Sequence, residues 1–431
     1  MNDILDIGLM HPRDQIVMAI SRIYNRGLTT TSGGNISMMD ETGDIWVTPS
    51  AIDKGSLRSA DIMCVRKDGS IEGLHRPSSE YPFHQAIYRA RPDIRAIVHA
   101  HPPALVSFSI VREIPDPNIV AQAKHVCGPI GYAPYELPGS EVLGDRIAES
   151  FIKGFSAVIM ENHGTVVGGT DLADAFQRFE ALEFCARTII YGKTIGIPRY
   201  LTDDQVRLFE HQRSGYYDEM DLVDYPSDER EKRAEICRIV QRACRQGLMI
   251  SSYGTVSARW RGDDFLITPT DVHRWDIKPE DVVQVRDGKR EPGKYPSRGT
   301  RLHQAIYRRF PEINSIIITQ PPNLMAFGVT GTHFNVRTIP ESWIFLQDVI
   351  ALPFGAQFDD FSDILGSLSK DRPALILEND AVLVTGDTLL QTFDRLEVAE
   401  FSAMSIRLGA VLGDMVPISD EQVEALRRKF L

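Results

Sequence analysis

The chain has 431 residues, 43% of them apolar and 25% charged, which is typical of a soluble globular protein with room for more than one domain. Its net charge of −12 argues against sequence-independent binding to nucleic acid or to an anionic membrane, because such binding requires a basic face. No apolar run reaches the ~20 residues that cross a bilayer, the N-terminus lacks a secretory pattern, and the five cysteines are scattered, so we expect a cytoplasmic protein with a small-molecule partner.

Helical and extended segments alternate along the first half of the chain. Residues 13–27 carry apolar side chains at helical spacing and end at a glycine, which predicts a helix. Short β-rich runs separated by Gly, Pro and Asp turns follow, at 44–49, 61–66, 95–101, 156–164 and 165–169. A second helix is predicted over 176–192. This order predicts an α/β fold in which helices cover a sheet.

The second half of the chain repeats the first. The string HQAIYR occurs at 84–89 and again at 303–308. The similarity extends to two further pairs of segments, 46–69 with 266–288 and 176–189 with 393–406. We therefore predict two tandem copies of one domain, at residues 1–206 and 231–431, joined by a charged linker at residues 207–230.

A candidate metal site lies in the first copy. Side chains at i and i+2 of a strand share a face, so His99 and His101 can present two imidazoles to one ion. His163 follows another apolar strand, and Glu80 comes just ahead of the helix that leads into the His-x-His strand. Three histidines and a carboxylate suit one divalent ion, zinc first, with manganese, cobalt and iron as alternatives.

The second copy serves as an internal control for this site. It replaces the four candidates, in chain order, by Gly299, Ile318, Gln320 and Asp380. Their joint loss indicates a site that exists in the first copy only. His84, in contrast, has a counterpart in His303, so we interpret it as a structural histidine of the common fold.

Five motifs now form a recognisable series: SGGNIS at 32–37, TPSAI at 48–52, PSSE at 77–80, HAH at 99–101 and ENHG at 161–164. In this order they resemble the class II aldolase/adducin family, which includes fuculose-phosphate and rhamnulose-phosphate aldolases and ribulose-phosphate 4-epimerase. The resemblance implies an α/β/α sandwich around a mostly antiparallel sheet, usually assembled in a four-fold ring. The second copy resembles the same fold with its site erased.

The resemblance also implies roles for individual residues. His99, His101 and His163 hold the ion in such a protein, while Glu80 binds the ion at rest and acts as the acid/base once substrate displaces it. The phosphate pocket of the family corresponds to Asn35, Ser50, Ala51, Ser78 and Ser79. We expect burial to raise the pKa of Glu80.

Two features depart from the family pattern. Ala51 stands where a glycine is common, and residues 116–126 contain no match for the tyrosine that fuculose-phosphate aldolase borrows from a neighbouring subunit as proton donor. The alternatives for that donor are Asn118, Gln122, Lys124, His125 and, from the second copy, Glu341.

Lys54 is expected at the surface, with a substrate contact as the alternative.

These features predict a metal-dependent aldolase that makes or breaks a C–C bond in a small sugar phosphate or hydroxy-keto acid through an enediolate. An epimerase or a decarboxylase that uses the same enediolate is the alternative among enzymes. A non-catalytic, adducin-like scaffold is the alternative outside them. Because two chains supply four domains, we expect a homo-oligomer, in the simplest case a dimer that mimics the family ring.

Overall fold

The computed structural model describes residues 9–211, 217–221, 224–358 and 360–431. The chain forms two compact units, one of residues up to 117 with 122–187, the other of residues 118–121 with 188–431. Each unit contains one eight-stranded sheet. The predicted α/β class and the predicted duplication are both confirmed.

The first copy alternates strands and helices along the chain. Its elements are α1 (Pro12–Asn25), β1 (Asn35–Met39), β2 (Ile45–Val47), β3 (Met63–Val65), β4 (Ile71–Glu72), α2 (Tyr81–Ala90), β5 (Ala96–Ala100), α3 (Pro103–Val111), α4 (Ala121–Cys127), β6 (Ile130–Ala133), α5 (Glu141–Ile152), β7 (Ala157–Met160), β8 (Gly164–Gly169), α6 (Leu172–Ile195) and α7 (Asp203–His211). The strand order in the sheet is β4-β3-β2-β1-β5-β8-β7-β6, and only the pair β6–β7 is parallel among these strands.

The second copy follows the same order. Its elements are α8 (Ser227–Gln246), β9 (Thr255–Arg261), β10 (Asp264–Ile267), β11 (Val283–Arg286), β12 (Lys289–Arg290), α9 (Thr300–Arg309), β13 (Ser315–Thr319), α10 (Pro322–Thr330), α11 (Pro340–Leu346), β14 (Val349–Leu352), α12 (Ser362–Ser367), β15 (Ala374–Leu377), β16 (Ala381–Gly386), α13 (Leu389–Gly409) and α14 (Asp420–Phe430). Its sheet, β12-β11-β10-β9-β13-β16-β15-β14, repeats the first strand for strand, including one parallel pair, β14–β15.

Helices α2 and α5 cover the face of the first sheet to which Ile97 and His99 of β5 point. The core there consists mainly of Phe83, Ile87, Leu143, Ile147 and Phe151 from the helices and Ile97, Val158 and Val166 from the strands. Each fully buried side chain of this size contributes about 1.5–3 kcal/mol. Because side chains alternate along a strand, His99 shares the face of Ile97 and packs edge-to-face on Phe83, with ring centroids 5.4 Å apart.

The sequence-predicted elements lie where the patterns place them, with shorter bounds. The His-x-His segment forms β5, which ends at Ala100 and leaves His101 one residue beyond the strand. The region 207–230 includes the end of α7 and the beginning of α8, and Glu219 within it forms a bridge to Arg290. Throughout the ranges described, no helix combines the length and the apolar character needed to cross a membrane.

Candidate metal centre

Strand pairing sets two side chains of the site next to each other. In the antiparallel pair β1–β5, Asn35 lies directly opposite His99, and on the other side of β5, His99 lies opposite Val166 of β8. Directly opposed residues project to the same face of a sheet. The side chains of Asn35 and His99 are therefore neighbours on the face that α2 covers, and both are buried.

A tight turn places the third histidine. His163 lies between β7 and β8, where its backbone N–H donates to the carbonyl of Met160. Asn162 in this turn has φ +52°, the left-handed conformation that Asn tolerates better than most residues. The turn brings the His163 ring to within 5.0 Å of the His99 ring and 5.2 Å of the His101 ring, measured between centroids.

Glu80 completes the cluster from the N-terminal end of α2. Its Oε2 lies 3.2 Å from His99 Nε2, and its Oε1 lies 3.1 Å from His163 Nε2. The ligating atoms of His99, His101 and His163 all lie within 4.8 Å of one another. The structure thus brings together all four residues that the sequence assigned to the metal site.

The protonation pattern of the cluster fits a cation at its centre. His99 Nδ1 lies 2.8 Å from the carbonyl oxygen of Thr165, which only accepts, so this nitrogen carries the proton and Nε2 of a neutral ring has a free lone pair. That lone pair faces Glu80 Oε2 and also His101 Nε2, 3.0 Å away. Burial alone would lower the pKa of His99, but Glu80 outweighs burial and raises it, so without an ion a proton on Nε2 joins the ring to the carboxylate; a bound cation would take the place of that proton. A backbone bond to the far ring nitrogen is also how proteins orient metal-binding histidines.

The charge state of Glu80 differs from our expectation. Burial raises the pKa of its carboxyl, as predicted, but the neighbouring His99 and His163, in their protonated forms, outweigh burial and hold the pKa below its usual range. The prediction of a net upward shift is therefore wrong for this cluster. Burial, followed by the nearby His99 and His163, lowers the pKa of His101 to about 3, which favours the neutral, ligating form of that ring.

Two glycines that the motif comparison did not single out make room for His101. A Cβ at Gly33 would lie 2.9 Å from His101 Nδ1, and a Cβ at Gly164 would lie 2.7 Å from His101 Cδ2 and 2.6 Å from the carbonyl oxygen of Ala100. The second copy has Tyr253 and Ala381 at these positions. The repeat alignment therefore contained the signal for both glycines.

Asn35 is buried, and its side-chain amide contacts Glu80 and His84. It is 2% exposed, its Nδ2 donates to Glu80 Oε2 at 2.8 Å, and its Oδ1 lies 2.5 Å from His84 Nε2. His84 is fully buried, and its Nδ1 lies 2.7 Å from Ser37 Oγ. Burial, with a smaller contribution from His99, lowers the pKa of His84 to about 3, so the ring is neutral.

The other candidate pocket residues lie on two loops that are hydrogen-bonded to each other. Ser50 N–H donates to the carbonyl of Arg76, Ser78 N–H donates to the carbonyl of Thr48, and Pro49 and Pro77 form an isolated bridge. Ala51 and Ser79 are exposed beside them. Ala51 has φ +57°, the region that favours glycine, which gives a physical reason for the glycine common at this position in the family.

The second copy keeps this backbone and changes its side chains. Asp271 has φ +56°, matching Ala51, and Ser297 N–H donates to the carbonyl of Thr268 as Ser78 N–H does to Thr48. The side chains of Ser79 and Ala51, however, become Arg298 and Asp271. A carboxylate at the position of Ala51 and a guanidinium at the position of Ser79 give these loops a different charge pattern, so the two copies differ here as well as at the four residues of the candidate metal site.

Lys54 lies below the first of these loops. It is 2% exposed, and its ammonium donates to the carbonyls of Pro49 and Ile52 at 2.8 and 3.3 Å. Burial lowers its pKa to about 8. The predicted surface position is therefore wrong, because the loop carbonyls bind the cation inside the fold. In the second copy Arg274 occupies this position and donates to the carbonyls of Pro269, Val272 and Gly254.

Comparison with known proteins supports the assignment of the fold and its chemistry. The family described as Class II Aldolase and Adducin N-terminal domain matches residues 14–190 and 234–406, which contain the two sheets. A 5-deoxy-D-ribulose 1-phosphate aldolase from Bacillus thuringiensis serovar kurstaki is 35% identical over 212 residues, which are 48% of this chain and 98% of that protein.

Two other relatives have similar coverage. A 3-oxo-tetronate 4-phosphate decarboxylase from Haemophilus influenzae is 33% identical over 196 residues, 44% of this chain and 91% of its own. An L-fuculose phosphate aldolase from Methanocaldococcus jannaschii is 35% identical over 176 residues, 40% of this chain and 91% of its own. Each relative therefore corresponds in length to about one copy. With the family match over both sheets, this shows that the protein belongs to the class II aldolase and adducin family, as an enzyme built from two tandem copies of the family domain.

Proposed function

We propose that the first copy is a metal-dependent class II aldolase, a lyase that cleaves or forms a C–C bond in a small sugar phosphate or hydroxy-keto acid. The observation that carries this proposal is the convergence of His99, His101 and His163 on Glu80, at positions where the second copy has lost all four side chains. Three imidazole nitrogens and one carboxylate form a ligand set that zinc prefers, so zinc is the ion we propose, with manganese, cobalt and iron as alternatives.

The residues of the site have separate roles in such a reaction. When bound, a divalent ion supplies the electrophile that stabilises the negative charge developing on the substrate's carbonyl oxygen. Glu80, whose two oxygens face His99 and His163, transfers the proton at the reacting carbon or oxygen. The hydroxyls of Ser50 and Ser78 and the backbone N–H groups of the exposed Ala51 and Ser79 bind the anionic end of the substrate and so orient its reacting end.

A decarboxylase is the second candidate, because the relative from Haemophilus influenzae carries that name at 33% identity. Loss of CO₂ from a β-keto acid leaves the same negative charge on the carbonyl oxygen, so the same residues serve both reactions. The two activities are distinguished by their product, an aldehyde for the aldolase and CO₂ for the decarboxylase. An epimerase gives neither product and returns a stereoisomer of its substrate.

The remaining features of the proposal concern the whole chain. We assign residues 1–206 to the catalytic copy, 207–230 to the linker and 231–431 to a copy without metal chemistry. The proposal includes a dimer of chains, which light scattering tests directly. It also includes a cytoplasmic location, which fits the five buried cysteines, because they form no disulfide with one another.

The first experiment measures metal content in the full chain purified without chelator, for the wild type, His101→Ala and Gln320→Ala. Gln320 is the counterpart of His101 in the second copy, so its variant is a matched control. We expect about one divalent ion per chain in the wild type and in Gln320→Ala, and none in His101→Ala. A wild-type chain that neither holds nor regains an ion would contradict the proposal and favour a scaffold.

A screen of ketose phosphates then identifies the reaction. Cleavage to an aldehyde and a ketone phosphate, absent in His101→Ala, is the expected result. Release of CO₂ from a 3-oxo acid phosphate, with no aldehyde formed, would replace the aldolase by the decarboxylase.

A further inference from the structure

A directed chain of hydrogen bonds runs through the core behind Glu80. An ionised carboxylate only accepts, so the Asn35 amide must present its NH₂ to Glu80 Oε2 and its Oδ1 to His84. His84 Nε2 is then the donor to Asn35, and His84 Nδ1 is left as an acceptor for the Ser37 hydroxyl. Ser37 Oγ in turn lies 2.7 Å from the Tyr88 hydroxyl, which donates to it. A single neutral tautomer of His84 satisfies every member of the chain.

The second copy contains the same hydrogen-bonded chain without counterparts of Asn35 and Glu80. Ser257 Oγ lies 2.6 Å from His303 Nδ1 and 2.7 Å from Tyr307 Oη, which reproduces the tyrosine, serine and histidine contacts of the first copy. Thr255 replaces Asn35 and bonds instead to Ser297 Oγ. Among the described residues, His303 Nε2 has no hydrogen-bond partner although the ring is fully buried.

The comparison separates what the fold needs from what the site needs. The tyrosine, serine and histidine occur in both sheets, so they belong to the fold. The unused Nε2 of His303 shows that the fold does not require a partner for this nitrogen, although leaving a buried donor unpaired is costly. In the first copy the same nitrogen has a partner, and that partner binds the carboxylate of the metal centre.

We infer that His84 is a positioning residue, which acts through Asn35 to hold the Glu80 carboxylate with Oε2 towards His99 and Oε1 towards His163. The inference rests on the proposed function, since it concerns the residue that is to transfer the proton. The contact with Glu80 is additional to the anion contact that the family resemblance implies for Asn35, because the amide donates only one of its two N–H groups to the carboxylate.

The inference predicts that the two oxygens of Glu80 are not equivalent. Oε2 accepts from Asn35, so a movement of the carboxylate away from the histidines has to break that bond. Oε1 has no bond to Asn35, which leaves it the oxygen that is more readily given a new partner. His84 therefore sets both the resting orientation of Glu80 and the direction in which it can turn.

The test uses Co²⁺ as the probe, titrated into the full-length chain after metal removal and followed by its visible absorption. His84→Asn keeps an amide near Ser37 but is too short to reach Asn35, whereas His84→Gln places a donor near the position of Nε2. We expect a 10- to 100-fold loss of Co²⁺ affinity in His84→Asn and recovery to within about threefold of the wild type in His84→Gln.

His303→Asn is the matched control, because the same side chain is removed from the same surroundings without a carboxylate beyond it. It should lower the thermal stability about as much as His84→Asn and leave Co²⁺ affinity unchanged. In a Glu80→Gln background, His84→Asn should have no further effect on affinity. If His84→Asn fails to fold, Asn35→Ala breaks the same link and is compared in the same way.

Three outcomes would overturn the inference. Unchanged Co²⁺ affinity in His84→Asn would make His84 a structural residue only. A loss of affinity that persists in the Glu80→Gln background would mean that His84 acts by another route. A wild-type chain that binds no Co²⁺ would overturn the proposed function itself, which is a distinct result because no variant is needed to see it.

Discussion

Strands β5 and β13 are the same strand in two copies of one fold, and they differ where the chemistry lies. Each pairs with the first strand of its copy on one side and the last strand on the other. In β5 the residue opposite Asn35 is His99, and in β13 the residue opposite Thr255 is Ile318. The second sheet therefore forms without the four residues of the candidate metal site, so the common fold does not require them.

The same comparison identifies residues that support the site without being ligands. Gly33 and Gly164 border His101, and their counterparts are Tyr253 and Ala381. In contrast, Gly34 and its counterpart Gly254 both have positive φ, at +71° and +83°. Gly34, which both copies share, serves the backbone, whereas Gly33 and Gly164, which the second copy lacks, make space for His101.

The largest expected effect comes from giving the first copy the residue of the second at position 80. We expect Glu80→Gly to lower kcat by about 10²–10⁴ because it removes the acid/base group, while the three histidines retain the ion. The fold should tolerate this change, since Gly299 has φ −71° and ψ −3° where Glu80 has −95° and 6°. Kinetics and metal analysis of one preparation check both halves of the prediction. Activity close to that of the wild type would remove Glu80 from the mechanism.

A smaller effect is expected from Gly164→Ala, which introduces the side chain that the second copy has. The added Cβ would lie 2.7 Å from His101 Cδ2, so His101 has to move and metal affinity should fall 10- to 100-fold. Gly168→Ala is the control, because its Cβ would press on Ile94 and Phe151 instead. It should cost stability and spare the metal, as competition with a chelator would show. Equal metal affinity in Gly164→Ala and Gly168→Ala would contradict the explanation that the added Cβ at position 164 displaces His101.

The smallest effect concerns the residue that replaced His163. Burial raises the pKa of Asp380 to about 6, so this carboxyl holds a proton more tightly in the folded chain than in the unfolded chain. Its ionised form therefore destabilises the fold above pH 6, and the cost disappears as the pH falls below about 4. Asp380→Asn should raise the stability by on the order of 1 kcal/mol at pH 8 and by nothing at pH 4. Gln357 Nε2, which donates to Asp380 Oδ2 at 2.6 Å, can keep an oxygen partner in the variant.

Denaturant titrations of the wild type and Asp380→Asn at pH 8, 6 and 4 check this prediction. Asp371→Asn, at an exposed position, serves as control and should change stability by less than about 0.5 kcal/mol throughout. A gain that is independent of pH would show that the charge of Asp380 is not the cause.

The sequence was sufficient to predict which four residues lie together at the candidate site, because their spacing and their joint loss are both local patterns. His99 and His101 are two residues apart, and each of the four candidates has a counterpart that can be read in the repeat. The contact of His84 with Asn35 was not predictable in this way, since the two residues are 49 positions apart and meet only through strand pairing. The role of His84 was also obscured by its presence in both copies.

Two other expectations failed for reasons of geometry. Lysine is usually exposed, and nothing in the local pattern around Lys54 indicates that the loop carbonyls of Pro49 and Ile52 surround its ammonium. For Glu80, the sequence indicated burial but not that two imidazoles lie within 3.2 Å of the carboxylate. The sign of the pKa shift depends on those distances and not on the residue type.

The buried side chains of Lys54 and Arg274 bind the loop at residues 48–52 and its counterpart at 268–272, which has a consequence for how such a protein can acquire new activities. Lys54 and Arg274 differ in side chain and yet both bind the carbonyls of that loop, which keeps its left-handed residue in the same conformation, Ala51 at φ +57° and Asp271 at +56°. The second copy thus keeps the backbone conformation of this loop although its side chains differ. It offers protein engineers a second, independent site to build in the same chain, with the first copy left intact as the working enzyme.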